Sequence, residues 1–587
     1  MEKWKIYGKK ENFERIGNKF NIDPVIARII RNRDIVGDEN VEMYLNADKS
    51  KLYSPNLMKD MEKAVSIILD AVSSDKKIRV IGDYDIDGVC SGHILTSGLE
   101  GIGVNVDFAV PDRISDGYGI NERIIKKAYD DNVELILTCD NGIAAIEQID
   151  YAKSLGMEVV VTDHHEIMFT EENGHIEYIL PKADAIVNPK QPDDKYPFKE
   201  LCGGGVAYKL IWALYERMGI DSSEWEKYLE YAAVATIGDV VDLKGENRIL
   251  AVEGMKQLNE TKSIGFSELI KITGLSDRKI TSYHIGFVIG PCLNAGGRLD
   301  TAMKSYKLLH TKSKEEAALL AEELKNLNDE RKDMTLKGVE KAVSIIEKDE
   351  TYKNDSILVV KLDGCHESIA GIIAGRIREK YNKPVFILTD AENGLKGSGR
   401  SIEEYNMFDE LVKCRNLFQK FGGHEMAAGI SIEPNNLQEL RKTLNMNAAL
   451  TEEDLCRKIW IDVPMPFKYI TDKLVRQLNM LEPFGKGNEK PVFAQKDVKV
   501  GRISIFGKNR NVVRMGLIGE MGFQIEGIYF GDSDKLLEDL SEKFSNEDVE
   551  KAVKGEKNNI SLSVLYYPEI NEFNGKTNLR VVIKRYL

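Results

Sequence analysis

Asp83, Asp85 and Asp87 stand at alternate positions directly after the run Ile78-Arg79-Val80-Ile81, and Gly88 follows them. The run reads as a buried strand, and the glycine permits a sharp turn into the next helix. Three carboxylates this close repel one another and are costly to keep ionised together. A divalent cation removes that cost, because hard oxygen donors suit Mg2+ or Mn2+. Taken alone, the stretch is also compatible with a solvated acidic turn that caps a helix. The surrounding pattern has to decide.

From about residue 60 to 190, helical and strand-like segments alternate. Val65–Val72, Val89–Leu99, Asn121–Tyr129 and Ile143–Ser154 read as helices. The run 78–82, Val104–Val110, Glu134–Thr138, Met157–Thr162 and Ala185–Val187 read as strands. Such alternation predicts a mostly parallel sheet with helices on both faces, and ligands beyond the carboxyl ends of its strands. Two further strand ends then join the first: Cys139-Asp140-Asn141-Gly142 and Thr162-Asp163-His164-His165-Glu166. A fourth acidic site, Asp239 with Asp242, follows a helix at Ala235–Asp242. One aspartate at a strand end serves turn geometry, and one His-His pair is more often a satisfied polar pair. Four such sites directed to one edge are far harder to explain structurally.

Ser313 to Lys348 form a polar stretch without proline and with only Gly338 for glycine. Ser313 and Glu316 fit a capping box, and a continuous helix here would reach about 50 Å. It reads as a bundle helix or as a connector between domains. From about 355 to 445 lies a second α/β region, with strands Ile357–Val360 and Pro384–Leu388 around a helix Ile369–Lys380. Gly397, Gly399, Gly422, Gly423 and Gly429 cluster in its loops. Glycines let backbone N–H groups approach a phosphate, and Arg400 and His424 supply fitting donors. Any single one of these glycines is also explained by a tight turn. From about 457 onward short β-rich segments prevail, and about five such strands fit an OB-fold. Lys496, Lys499, Arg502, Lys508, Arg510 and Arg514 are interleaved with Phe493 and Phe506. Cations can follow phosphates while aromatic faces stack bases, although a solvated strand face alternates similarly.

The 587 residues suggest about four domains at ~150 residues each. Residues 1–45 read as a charged helical arm without chemistry, with Ile22, Val25, Ile26, Ile29 and Ile30 at helical spacing. No apolar run reaches ~18 residues, which argues against a membrane span, and Met1–Lys5 lacks a signal-peptide core. Seven cysteines are scattered without a C-x-x-C pair, which argues against structural zinc and for a reducing cytoplasm. The net charge of -14 speaks at first against a polyanionic partner. Carboxylates that bind metal lose their effective charge, however, and polyanion binding needs only a local basic groove.

In this order, D-Y-D-I-D-G, D-N-G, D-H-H and G-D-V-V resemble the four motifs of the DHH phosphoesterases. The likeness is closer still to the bacterial single-strand-specific exonucleases of that family. It extends through Pro111-Asp112-Arg113 with Asp116-Gly117-Tyr118-Gly119, Leu293–Leu299, Leu327–Lys332, Lys396–Ser401, Gly422–Gly429 and Pro483–Asn488. Cys292 departs from it, standing where many relatives carry arginine.

The resemblance implies an α/β multidomain fold, in which a DHH parallel-sheet domain and a DHHA1 α/β domain are joined by a long helix. A β-barrel OB-like domain follows. The corresponding boundaries are 1–45 for the arm, 46–255 for the DHH catalytic domain, 256–350 for a helical linker, 351–450 for the substrate-binding domain and 457–587 for the OB domain. It implies two divalent ions, Mn2+ or Mg2+, bridged by Asp140. Asp83 and Asp85 would serve one ion, and Asp87, His164 and Asp239 the other. Asp163 would orient the histidines, and His165 would contact the scissile phosphate. Arg113, Ser398 and Arg400 would converge on a terminal phosphate, with Arg298, Gly422, Gly423 and His424 also binding substrate.

The implied activity is 5'-to-3' exonucleolytic hydrolysis of single-stranded DNA, releasing 5'-mononucleotides in repair and recombination. Its partners would be the strand, a single-strand-binding protein and a helicase. A phosphodiesterase of cyclic dinucleotides or short oligonucleotides is the alternative, and a pyrophosphatase-like member is another. Neither has a use for an OB-like domain. A non-catalytic scaffold would have lost motif carboxylates, and here every one is present.

Overall fold

The computed structural model describes residues 2–587 apart from Ile114, Ser115, Tyr118, Asn173, Gly174, Asn574 and Gly575. Tyr118 of the motif quoted above therefore lies outside the described residues. The chain divides into two units, 48–457 and 1–47 together with 458–587.

The first unit is built around a parallel sheet. β1 (Ile78–Ile81) leads into α1 (Ile86–Glu100), and β2 (Val106–Ala109) pairs with one side of β1. β3 (Leu135–Cys139) pairs with the other side, and β4 (Glu158–Thr162) and β5 (Ala185–Val187) continue outward from it. All four pairings are parallel. Every residue of β1 and β3 is buried, as a sheet covered on both faces requires. The strand order reverses between β1 and β3, and ligands of open α/β sheets bind at that switch point.

α2 (Gly203–Arg217) and α3 (Leu229–Gly238) pack on α1. α3 is buried all round, with eight consecutive buried residues from Leu229 to Thr236, as befits an internal helix. α4 (Gly290–Leu299) packs at its C-terminal turn close to Tyr84.

α5 (Lys314–Lys348) is one helix of 35 residues, about 50 Å long. Its start carries half of the expected capping box. Ser313 Oγ accepts from Glu316 N at 3.2 Å, but the Glu316 carboxylate turns to Thr311 Oγ. α5 packs on α4 and, through Ala342 and Ile346, on Ile369, Ile373 and Ile377 of the next domain. Of the two readings left open by the sequence, it is the connector.

In that next domain β6 (Leu358–Lys361) precedes α6 (Glu367–Tyr381). β7 (Val385–Ala391), β8 (Gly394–Arg400), β9 (Phe418–His424) and β10 (Ala427–Ile432) complete a sheet in the order β9-β10-β8-β7-β6. Only β6 and β7 run parallel. The glycines of 397–399 and 422–429 thus lie in paired strands, not in loops as the sequence reading placed them.

In the second unit, β11 (Phe493–Phe506), β12 (Val512–Ile518), β13 (Gln524–Phe530), β14 (Ser561–Phe573) and β15 (Lys576–Tyr586) form a barrel. β11 pairs with both β12 and β14, which closes it. The N-terminal arm opens with a strand, Glu2–Ile6, before its helices Phe13–Phe20, Pro24–Asn32 and Asp38–Leu45. Ile26, Ile29 and Ile30 share one core with Phe467, Phe493 and Val564. Arg33 grips Asp462 through both guanidinium nitrogens at 2.8 and 3.2 Å, with both side chains buried. Phe493 is fully buried in this core and cannot stack a base; Phe506 is the exposed ring. No described helix is long and apolar enough to cross a membrane.

Candidate active site

Parallel register brings the acidic strand ends together. Ile81 lies beside Thr138, and Cys139 beside Thr162, so Asp83, Asp140 and Asp163 leave the sheet side by side. Asp85 caps α1, its Oδ1 accepting from Asp87 N at 2.9 Å and Gly88 N at 3.2 Å. This turns Asp87 inward on the first helical turn. Asp239 arrives from the C-terminal end of α3.

Ligand atoms of Asp83, Asp85 and Asp140 all lie within 4.8 Å of one another. So do those of Asp87, His164 and Asp239, and those of Asp140, His164 and His165. His164 Nε2 stands 3.0 Å from Asp140 Oδ1, 3.6 Å from Asp87 Oδ2 and 3.8 Å from Asp239 Oδ2. Two backbones here occupy the left-handed region: Asp140 and Val240, each at φ 60°. Aspartate tolerates this; a β-branched valine does so only under constraint, as at functional sites.

The electrostatics call for a cation. Burial and then the charge of Asp85 push Asp83 well above the usual carboxylate range. Burial, followed by the charges of Asp87, Asp85, Asp239 and Asp83, does the same to Asp140. Asp87 rises to about 6 from burial and Asp85, even though Gly203 N and Gly204 N each donate to it at 2.7 Å. Asp83 Oδ1 is buried without a hydrogen-bond partner among the described residues. Burial, then His165, holds His164 near 3, so its Nε2 is a neutral donor of electrons. Clustered carboxylate oxygens, one orphaned, with one neutral imidazole, fit Mg2+ or Mn2+.

His165 differs from its neighbour. Burial is the largest influence on its ring and lowers it, but the 2.7 Å contact from Nδ1 to Asp163 Oδ1 and the charges of Asp163, Asp239 and Asp87 together outweigh burial. The balance raises His165 to about 9. Asp163 in turn sits near 2: burial would raise it, but His165, His164 and the Ile143 N–H outweigh that.

Reading the sequence missed the supports of this site. A Cβ at Gly203 would stand 2.7 Å from Asp140 Cβ, and one at Gly204 2.5 Å from Ala235 Cβ. The two glycines let the α2 N-terminus close on Asp87 and Asp140 together. The run Gly203-Gly204-Gly205 was the available signal. Asn294 Oδ1 accepts from Ile86 N at 2.8 Å and fixes the turn from the other side.

The second group of expected residues lines or flanks a cleft of about 350 Å³ between the two sheets. Tyr84, Arg113, Ser398, Lys420 and Gly422 are in its wall. The Arg113 guanidinium lies 4.7 Å over the Tyr84 ring. Arg298 and Arg400 stand beside this wall with their charges unfavourably placed. Burial, then Arg113 and Arg331, lower Arg298 to about 9; Arg298 Nη1 donates to Ser368 O at 2.8 Å. Burial, then Arg378 and Arg113, also lower Arg400. Gly371 on α6 makes room here, because a Cβ would stand 2.7 Å from Arg400 Nη2. A glycine inside a helix costs about 1 kcal/mol relative to alanine, and that was its signal.

The structure does not bring Gly423 and His424 into the cleft. Both are exposed at the hairpin end of β9, where His424 Nδ1 accepts from Met426 N. Cys292 is buried beside Asn328 and reaches no ligand site.

A parallel sheet with acid and histidine at its strand ends, coupled by one helix to a mixed sheet, defines the DHH phosphoesterase class. Residues 77–236 match the DHH family N-terminal domain, 354–449 the DHHA1 domain and 461–585 the RecJ OB domain. The chain is 33% identical to the single-stranded-DNA-specific exonuclease RecJ of Bacillus subtilis, covering 99% of this chain and 70% of that one. It is 31% identical to RecJ of Haemophilus influenzae, covering 97% of each. The Mn2+ complex of RecJ from Thermus thermophilus superposes over the whole chain and 79% of its own length, with a TM-score of 0.81 at 25% identity. The chain belongs to the RecJ family of single-stranded-DNA-specific exonucleases.

Proposed function

We propose that this protein hydrolyses single-stranded DNA from its 5' end, releasing 5'-mononucleotides, with two divalent ions, Mn2+ or Mg2+. The observation that carries this is the meeting, around one cleft, of mutually repelling carboxylates at the edge of the parallel sheet with mutually repelling arginines, Arg113, Arg298 and Arg400. A phosphodiester with bound cations satisfies both.

Asp83, Asp85 and Asp140 would hold one ion, and Asp87, His164 and Asp239 the other, with Asp140 shared. Two of the three three-donor groups support this division, and the third, Asp140 with His164 and His165, supports the sharing of Asp140. When bound, the ions would lower the pKa of water and neutralise charge at the scissile phosphate. Asp163 positions His165 through Nδ1, and the ring so held would contact a phosphate oxygen. Asp87 is oriented by the two amides of the α2 N-terminus. Arg113, Ser398 and Arg400 would receive the terminal phosphate. A guanidinium fork gives such a group two charge-assisted bonds.

The barrel would hold the trailing strand, using Phe506 with Arg502 and Arg514. Arg502 and Arg514 line one depression on its surface, and Arg514 lies 5.1 Å over the Phe506 ring. The same reading places the protein in the cytoplasm, in DNA repair and recombination. A helicase would supply its strand and a single-strand-binding protein would present it.

The test is digestion of 5'- and 3'-labelled single strands of DNA and RNA with each metal. Mononucleotides released first from the 5' end of DNA are expected. Release from the 3' end, or cleavage of dinucleotides alone, would overturn the reading.

A further inference from the structure

A second cavity in the larger unit, of about 420 Å³, has His93, Ser97, Glu100, Glu230, Lys262 and Lys312 in its wall. It is separate from the metal edge. α1 carries Asp87 on its first turn and Ser97 on its last, and α3 carries Glu230 on its first turn and Asp239 at its end. At 1.5 Å per residue, the cavity lies about 15 Å from the metal edge along either helix.

The wall has two unmet needs. Lys262 and Lys312 are exposed, and among the described residues neither has an acidic partner. Each directly precedes the N-cap of a helix: Ser263 caps Ile264–Ile272, and Ser313 caps α5. α3 begins at the same cavity without a side-chain cap. Helix starts and unpaired ammonium groups together favour an anion. Glu230 has the opposite need. It is 6% exposed, and its Oε2 is buried without a hydrogen-bond partner among the described residues. Burial raises this carboxyl to about 7, against a hydrogen bond with Thr261 that lowers it. A buried carboxyl oxygen left unpaired is costly, and N–H donors would remove that cost.

The remaining polar groups answer one another. Ser97 Oγ stands 3.4 Å from His93 Nδ1 and 3.3 Å from His310 Nδ1, and His310 Nε2 stands 3.1 Å from Glu100 Oε1. The His93 and Tyr231 rings, with centroids 4.2 Å apart, add an aromatic flank. The missing molecule therefore carries an anion at one end and N–H donors at the other. Inorganic phosphate would leave Glu230 unmet. A nucleoside monophosphate meets both needs, and the cavity is of ordinary size for a small-molecule site.

We propose that this cavity binds a nucleoside monophosphate, with its phosphate on Lys262 and Lys312 and an N–H edge of its base on Glu230. The site goes beyond the exonuclease reading and does not depend on it, because binding is read without turnover. Guanine offers two adjacent N–H donors, so dGMP is the probe.

The test is calorimetric titration of the full chain in a chelator, with dGMP and with deoxyribose 5-phosphate. The wild-type chain should bind dGMP at least about tenfold tighter than the sugar phosphate. Arg400→Ala, which alters the catalytic cleft, should keep that binding. Lys262→Ala combined with Lys312→Ala should weaken both ligands about tenfold with an unchanged unfolding midpoint. Glu230→Gln should remove the preference for dGMP and leave the sugar phosphate unaffected. If Glu230→Gln does not fold, the lysine pair decides. Loss of dGMP binding in Arg400→Ala but not in the lysine pair would place the nucleotide in the catalytic cleft and overturn the site. Equal affinity of the wild-type chain for both ligands, or no binding of dGMP, would overturn it as well.

Discussion

The two five-stranded sheets of the larger unit are incomplete in opposite senses. The parallel one gathers Asp83 and Asp85 beside Asp140, and Asp87 and Asp239 beside His164, and burial with their mutual repulsion raises Asp83, Asp87 and Asp140. The mixed one carries Arg400, and the charges that Arg400 feels are Arg378 and Arg113, both repulsive. Topology explains the contrast. Parallel strands end together, so side chains following them collect at one edge. In the mixed sheet β8 lies between antiparallel neighbours, so its Ser398 and Arg400 come from within a strand, opposite Gly429 and Ala427. One region wants cations and the other an anion, and a metal-bound nucleic-acid end supplies both.

The strongest way to break the contrast is to remove the shared carboxylate. Asp140→Ala should lower hydrolysis by at least about 10³-fold, and a chelator should do the same reversibly. Its unfolding midpoint without metal should not fall, because a repulsive charge has gone. Near-normal turnover in Mn2+ would show that the cluster does not act as one centre.

On the cationic side, Arg400→Ala should cost about 10–100-fold on 5'-phosphorylated ends. It should cost far less on 5'-hydroxyl ends. Removing the phosphate and the arginine together should fall well short of additive. Full additivity in initial rates would detach Arg400 from the end.

The barrel sharpens the comparison by being the opposite case. Two of its arginines already have acidic partners: Arg510 meets Asp534 at 2.9 Å and Arg514 meets Glu526 at 3.2 Å. Arg514→Ala should therefore weaken binding of a long strand only a few-fold. It should reduce the slope of log affinity against log salt by about 0.7 or less. A loss as large as that of Arg400→Ala would erase the distinction between paired and unpaired arginines.

The smallest effect is on stability. Asp87 rises from the ordinary 3.8 to about 6 in the folded chain. A raised carboxylate binds more protons folded than unfolded. Its contribution is therefore full below about 3.8 and is lost as pH climbs through about 6. Without metal, the wild-type midpoint should fall by a few degrees relative to Asp87→Asn between about pH 4 and 7. Mn2+ should reverse that trend in the wild-type chain. A difference independent of pH, read by thermal unfolding, would remove the strain assigned to Asp87.

Much of this was legible in the residues. Strand-then-aspartate order located the metal edge, because parallel register is implied by βα alternation. The supports were not. Gly203, Gly204 and Gly371 act by leaving space for groups far away in sequence, and local pattern says nothing of distant neighbours. The arm's apolar stripe announced a buried face but not its partner; Asp462 lies hundreds of positions from Arg33. Phe493 and Phe506 looked equivalent beside their lysines, yet Phe493 is buried in the barrel core at one end of β11 and only Phe506 emerges at the other. His424 suited a phosphate by type, and the β9–β10 hairpin turns it outward.

The most direct test is to count and place the ions. Crystals soaked in Mn2+, with anomalous scattering measured at the metal edge, should show two ions about 3.5–4 Å apart. Asp140 should bridge them, with Asp83 and Asp85 on one side and Asp87, His164 and Asp239 on the other, and Asp140→Ala should lose at least one ion. A single ion, or two ions that leave Asp140 uncoordinated, would contradict the account.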